Sequence, residues 1–414
     1  MSDSSAVVPR STDSLPRTLL TGAQMLFVAF GALVLVPLLT GLDPSVALFT
    51  AGVGTLVFHA VTRATVPVFL ASSFAFIAPI QGSVASFGVS ATLGGLLAAG
   101  LVYVVISQAV RLKGTAWLHR LLPAVVVGPV IMVIGLALAP VAVSMATGET
   151  SEHIGYGQAI TLSMVSLLVT LVLAVFGRGL LRLIPIMGGI VTGYLLGLAM
   201  GVIDFTPVTE AAWLALPAFT APSFHWAAIL FMIPVAIAPA VEHIGDMVAI
   251  GSVTRKNYLE TPGLHRTLLG DGLATTTAAL FGGPPNTTYS EVTGAVTLTR
   301  AFDPRIMIVA AGVAIVLAFV AKLGALLQTI PGPVMGGIMT LLFGSIAVVG
   351  MNTLVRAGHS LTAPRNLVVI SLILVFGIGG MQLGGGQFTL QGVSLAALVG
   401  IVLNWVLPPA NDEA

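Results

Sequence analysis

The chain is a succession of apolar runs, each about as long as a helix needs to cross a bilayer core of roughly 30 Å, and that pattern leaves few folds open. Polar, glycine or proline breaks divide the sequence into about fourteen such runs. In the first half they fall near 19–40, 45–61, a short one at 66–79, then 89–110, 122–145, 159–176 and 183–202. In the second half they fall near 226–250, 269–282, a short one at 286–299, then 306–321, 333–350, 366–381 and 391–407. Only 7% of the residues are charged and 57% are hydrophobic, whereas an ordinary soluble domain carries about a quarter charged residues. Too few polar groups remain to clothe a water-facing surface, which disfavours soluble enzymes and disordered chains. A net charge of +1 gives no basic field for phosphates and sets nucleic acid aside. The absence of cysteine removes disulfides, thiolate metal sites and thiol nucleophiles together.

Cytoplasmic loops retain Lys and Arg, so the basic residues test the segment count. With the N-terminus inside, the inside loops hold every one of the 16 basic residues except Lys322. That requires an even number of crossings with both ends in the cytoplasm, and omitting either short segment would invert the loops beyond it. The expected protein is therefore an all-α polytopic membrane protein of 14 segments. Its polar tails are 1–16 and 408–414, and the first lacks the small-residue cleavage site of a removable signal peptide.

The two short segments read Val66-Pro-Val-Phe-Leu-Ala-Ser-Ser-Phe-Ala-Phe and Gly283-Pro-Pro-Asn-Thr-Thr-Tyr-Ser-Glu-Val-Thr-Gly. Proline followed by β-branched, aromatic and hydroxyl residues favours extended backbone over helix. They stand about half the chain apart. Leu122-Pro-Ala-Val-Val-Val-Gly-Pro and Ile330-Pro-Gly-Pro-Val-Met-Gly-Gly echo one another at a similar offset. Seven segments per half is an odd number, so the second copy enters from the opposite side, giving a 7+7 inverted repeat with segments 3 and 10 short and partly β-like. Broken segments at equivalent places in two inverted halves point to a transporter's central site. None of Lys113, Lys256 and Lys322 follows a glycine, so no phosphate loop is present and transport by this chain is expected to be secondary.

Of the acids, Glu242, Asp246 and Glu291 fall inside apolar spans, while Asp271 reads as lying near a segment start. An ionisable side chain at membrane depth costs at least a few kcal/mol and is a functional candidate by default. Glu242 and Asp246 are a helical turn apart on one face. Away from bulk water they repel, an arrangement suited to a proton-coupled carrier. His243, between them in sequence, points about 100° away and reads first as a histidine packed in the helix or hydrogen-bonded to a neighbouring segment, kept beside them as a proton-coupling candidate. Glu291, together with backbone N–H groups of two extended segments, would suit a small planar molecule with N–H and C=O groups side by side. Phe74 and Tyr289, near the same backbone, are read either as rings that stack on a flat substrate or as core packing residues. No His/Asp metal spacing or nucleophile–base pair accompanies these acids, so neither an enzyme, a metal nor a cofactor is expected.

Glu242-His-Ile-Gly-Asp, Pro262-Gly-Leu-His-Arg and Gly282-Gly-Pro-Pro-Asn-Thr-Thr-Tyr-Ser-Glu-Val-Thr-Gly-Ala-Val-Thr-Leu-Thr-Arg closely resemble the nucleobase–ascorbate (nucleobase:cation symporter-2) transporters. Among these the bacterial uracil permeases are most similar. Phe30-Gly-Ala-Leu-Val-Leu-Val-Pro and Leu70-Ala-Ser-Ser-Phe-Ala-Phe-Ile-Ala-Pro look like the same family's first and third segments. The resemblance implies a core (transport) domain at 17–110 and 226–321 and a gate (scaffold) domain at 117–202 and 331–407. It also implies uracil:proton symport by alternating access, in a homodimer joined through the gate domains.

Carried over by position, Glu242 and Glu291 match the family's substrate-holding carboxylates. Phe74 and Ser290 match positions offering backbone N–H, and Ala32 matches a first-segment contact. Three departures stand out: Val292 replaces a motif asparagine, Ser290 stands where glycine is common, and Asp246 stands where uracil permeases often have histidine. Glu291 favours uracil, whereas Asp246 is the residue of purine-type relatives. A xanthine, guanine or broader nucleobase permease is therefore the alternative, followed by an anion carrier of the same fold.

Overall fold

Prolines and short acids set where the helices begin. In the computed structural model, which describes residues 15–408 apart from residues 152, 359, 386 and 387, five long helices carry proline within their first two positions. A missing N–H costs nothing there. Asp43 caps the second helix by accepting from the N–H groups of Ser45 and Val46 at 2.7 and 3.0 Å, and Asp303 accepts from Arg305 N–H at 2.9 Å.

In chain order the first half holds α1 (Leu15–Thr40), α2 (Pro44–Thr62), β1 (Leu70–Ser72), a 3-10 turn at Phe74–Phe76, α3 (Ile77–Phe87) and α4 (Val89–Lys113). It continues with α5 (Ala116–Leu121), α6 (Ala124–Ala137), α7 (Ala139–Ala146), α8 (Tyr156–Phe176) and α9 (Pro185–Ala199). The second half holds α10 (Thr206–Glu210), α11 (Trp226–Met232), α12 (Ile237–Thr254), α13 (Leu264–Phe281), β2 (Asn286–Thr288), α14 (Ser290–Thr299) and α15 (Pro304–Ala318). It ends with α16 (Ala321–Gln328), α17 (Gly332–Ala357), α18 (Pro364–Ile378), the hairpin β3 (Gln382–Gly385) and β4 (Phe388–Gln391), and α19 (Gly392–Val406). Six spans among the described residues are long and apolar enough to cross a membrane, a seventh if α15 and α16, bent by 83°, count as one; further apolar helices are shorter. The expected tails lie outside the described residues but for 15–16 and 408.

Several expected segments are divided or displaced. The run at 226–250 becomes α11, a 3-10 turn at Pro234–Ala236, and α12, because Pro234 supplies no N–H to continue the first helix. The run at 122–145 breaks at Leu138, ahead of Pro140. The expected loop 251–268 holds the first turn of α13, which begins at Leu264 after Pro262-Gly263 rather than at 269. The hairpin at 382–391 had no counterpart in the sequence reading.

The helices pack in two sets. In one, α13 lies between α2 and α4, α15 packs on α1 and α2, and α11 on α4. In the other, α17 packs on α6, α7 and α8, α9 on α8, and α18 and α19 on α6 and on each other. Contacts between the sets are thinner, chiefly α12 with α6, α19 with the turn at Pro234–Ala236, and α1 with α9. At the α4–α13 crossing a β-carbon on Gly100 would lie 2.7 Å from Thr276 N and 2.9 Å from Gly272 O, so the glycine allows the backbones to touch.

Candidate functional site

The two short segments meet. β1 and β2 form an antiparallel pair with Leu70 opposite Thr288, Ala71 opposite Thr287 and Ser72 opposite Asn286. Ser73 N–H donates to Pro285 O at 2.9 Å and extends the ladder by one bond. Strands this short leave many backbone groups to satisfy, and buried side chains satisfy them. From α2, Thr55 Oγ1 accepts from Leu70 N–H at 3.0 Å and His59 Nε2 donates to Val68 O at 3.0 Å. Asn286 Nδ2 reaches back to Thr50 O at 2.8 Å, while Thr275 of α13 donates to Asn286 O at 2.6 Å.

Each strand leads into a helix start: β1 into the turn at Phe74 and then α3, β2 through Tyr289 into α14. The first N–H groups of a helix have no intrahelical partner, so two sets of donors lie at the ends of the strand pair. Phe74 and Tyr289 stand beside them with ring centroids 6.1 Å apart, tilted by 44°. Tyr289 is buried and its hydroxyl has no hydrogen-bond partner among the described residues. Ser290 opens α14; its side chain lies outside what the structure describes. Ala32 is fully buried on α1, which packs on both β1 and α14.

The carboxylates divide into two pairs. Glu242 is half-buried and Glu291 is exposed, and the glycines one turn beyond each, Gly245 and Gly294, have nothing within 4 Å of a built β-carbon. Glu242 and Glu291 therefore face an opening beside α12 and α14. Asp246, 5% exposed, turns instead toward β2, where the Thr288 hydroxyl donates to its Oδ2 at 2.8 Å. The same hydroxyl is 3.2 Å from His243 Nδ1, and that nitrogen is 3.7 Å from Asp271 Oδ2. Asp271 also accepts from the Thr287 hydroxyl at 3.3 Å and from the backbone N–H of Thr288. Glu242 is within electrostatic reach of Asp246, Glu291 and Asp271.

One expectation changes in detail. His243 is fully buried and meets the Thr288 hydroxyl of the neighbouring extended segment, as expected of a packed or hydrogen-bonded histidine, and through Thr288 it adjoins the carboxylates. Asp271, placed by the sequence reading near a segment start, is fully buried two turns into α13. The available signal was Pro262-Gly263, a helix-start punctuation that moves the first turn back to Leu264. Thr287 and Thr288 belong to the Pro-Asn-Thr-Thr-Tyr string that carries the family resemblance, but their bonds to Asp246 and Asp271 were not foreseen, because a threonine hydroxyl does not announce its partner in sequence.

The Permease family matches residues 16–385. The chain belongs to this family. A probable uracil permease of Haemophilus influenzae is 59% identical over 392 residues, covering 95% of this chain and 94% of the relative. The uracil permease of Bacillus caldolyticus is 45% identical, covering 94% and 92%. The resemblance to nucleobase–ascorbate transporters and bacterial uracil permeases thus holds along nearly the whole permease chain. Among solved structures, the transmembrane domain of the cyanobacterial bicarbonate transporter BicA superposes with a TM-score of 0.66 at 15% identity, covering 94% of this chain and 96% of that one. Murine Slc26a9, an anion transporter in an inward-facing state, gives 0.71 at 12% identity, covering 95% and 68%. At such identities these likenesses establish the transporter fold alone.

Proposed function

We propose that this permease is a uracil:proton symporter of the cytoplasmic membrane, with both termini in the cytoplasm and 14 segments in a 7+7 inverted repeat. The observation that carries the reading is the pairing of Glu242 and Glu291 at an opening with the helix N-termini after β1 and β2. The carboxylates accept the N–H groups of a pyrimidine edge, the amides of Phe74 and Ser290 donate to its carbonyls, and the rings of Phe74 and Tyr289 bracket its faces. Relatives named uracil permeases at 38–59% identity support the substrate. Two carboxylates in the site oppose an anion, which argues against the activity of the structural neighbours.

Asp246, His243, Thr288 and Asp271 form the proton-handling group behind the substrate. A proton held there alters the bonds that anchor β2, and so couples the gradient to the geometry of the site. The set containing 17–110 and 226–321 is the core domain and the set containing 117–202 and 331–407 the gate. Thin contacts between the sets support movement of one against the other, with the homodimer formed through the gates. The relatives named permeases support a carrier and not an enzyme. Asp246 favours a xanthine- or guanine-type specificity and keeps that as the second reading.

The test is uptake of radiolabelled uracil in vesicles with an imposed pH gradient, competed by xanthine, guanine, thymine and a small dicarboxylate. Gradient-driven uptake displaced best by uracil itself is expected. Uptake indifferent to the gradient overturns proton coupling, and stronger displacement by xanthine overturns the substrate.

A further inference from the structure

A second polar cavity lies away from the carboxylate site, on the outer side of α13 where α2 and α4 flank it. It is a half-open hollow of about 270 Å³ whose lining includes Arg63, Arg111, His265 and Arg266 but no acidic residue. Among the described residues no hydrogen bond or ion pair engages any of the three guanidinium groups. Arg111 and Arg266 both act electrostatically on His265, so the cations converge instead of pointing apart. The wall is fixed: Ser107 of α4 donates to the carbonyl of His265 on α13 at 2.5 Å, pinning the two helices beside the cavity.

Guanidinium groups without carboxylates, gathered at one end of a helix bundle, are a phosphate-binding chemistry. The surroundings distinguish a lipid from a free ion. Leu101, Val105 and Gln108 stand on one face of α4 at helical spacing, and Leu101 and Val105 are 47% and 68% exposed. That apolar stripe runs from the cavity toward the membrane interior, a path for acyl chains. Leu269 on α13 carries the apolar wall into the cavity itself. Basic pockets between membrane helices at the cytoplasmic side match anionic headgroups.

We propose that this cavity binds the headgroup phosphate of an anionic phospholipid, with Arg63, Arg111 and Arg266 on the phosphate and the acyl chains along Leu101 and Val105. The proposal rests on the membrane-spanning reading of the permease and is independent of which nucleobase it carries. The site clamps α4 against α2 and α13, the two helices that anchor β1 and β2, so an occupied cavity stiffens the scaffold of the substrate site.

The test uses the purified full chain in detergent, titrated with phosphatidylglycerol, with phosphatidylcholine, and with inorganic phosphate, and read by native mass spectrometry and melting temperature. Phosphatidylglycerol is expected to bind at least tenfold more tightly than phosphatidylcholine and to raise the melting temperature. Each cation beside an anionic headgroup contributes about fivefold, so Arg111→Gln with Arg266→Gln should reduce that affinity about twenty-fivefold while Arg356→Gln leaves it unchanged. Equal binding of the two lipids overturns the proposal. Inorganic phosphate stabilising as well as phosphatidylglycerol overturns it in favour of a free-anion site. Should the double variant not fold, photoreactive phosphatidylglycerol on the wild-type chain decides: crosslinks within residues 61–63, 101–113 or 264–273 support the site, and crosslinks only elsewhere refute it. Uracil binding measured on the same samples reports separately on the transport reading.

Discussion

Replacing Thr288 by valine removes one hydroxyl and almost no volume, at the point where β2 meets α12 and α13. The hydroxyl donates to Asp246 Oδ2 at 2.8 Å and sits 3.2 Å from His243 Nδ1, and Thr288 itself is 2% exposed. Water cannot simply replace it. A hydrogen bond to a charged group contributes about 1.5–3 kcal/mol, and about 1.4 kcal/mol is a factor of ten in an equilibrium constant. Thr288 lies two residues before Ser290, whose N–H opens α14, so an unanchored β2 no longer holds that donor in place. Apparent affinity falls with the population of the competent arrangement. Thr288→Val should therefore weaken uracil binding by about tenfold to a hundredfold. Thr288→Ser keeps the hydroxyl and should stay within about fivefold. Equilibrium binding of labelled uracil to purified protein, with circular dichroism to verify helix content, measures both. Valine binding within threefold of wild type, on a folded protein, would show that the hydroxyl bridge does not position the site.

Three further outcomes follow from the same geometry. Glu291→Gln keeps the side-chain shape and removes the charged acceptor, so uracil affinity should fall about tenfold or more by equilibrium binding; unchanged affinity removes the role given to that carboxylate. Asp271→Asn retains an acceptor for Thr287 and Thr288 but removes the charge facing His243; uptake should lose much of its response to an imposed pH gradient, and an unaltered response excludes Asp271 from proton handling. Gly100→Ala places a β-carbon 2.7 Å from Thr276 N and should destabilise the protein by about 2 kcal/mol. Gly157→Ala, whose β-carbon meets nothing within 4 Å, serves as its control, and equal melting temperatures for the two would refute the close-contact reading.

What could be read in the sequence, and what could not, follows from which residue types carry a directional signal. Glu242, Asp246 and Glu291 were legible because a carboxylate inside an apolar run is expensive wherever it points. The sequence did not say that Glu242 and Glu291 face an opening while Asp246 turns back to β2, since four-residue spacing places two side chains on one face without saying what that face meets. Asp271 was missed through a helix boundary displaced by five residues, from Leu264 to 269, although Pro262-Gly263 marked the start. The hairpin at 382–391 was missed because a glycine-rich polar stretch between two apolar runs reads equally well as a loop.

The extended character of the two short segments was legible from their prolines and β-branched residues, but their pairing follows from a different argument. A three-residue strand at membrane depth leaves both edges with unpaired backbone groups, and hydrocarbon offers no water to satisfy them. One edge of each strand is met by the other strand. Further backbone groups are met by Thr55 and His59 from α2 and by Thr275 and Asp271 from α13, polar side chains inside otherwise apolar helices. Those residues look incidental when each helix is read alone. Read together, a hydroxyl or imidazole buried in an apolar helix is the complement of an extended segment elsewhere in the chain. Its presence on α2 and α13, and not only the prolines at 67, 284 and 285, is what makes a strand pair at this depth affordable.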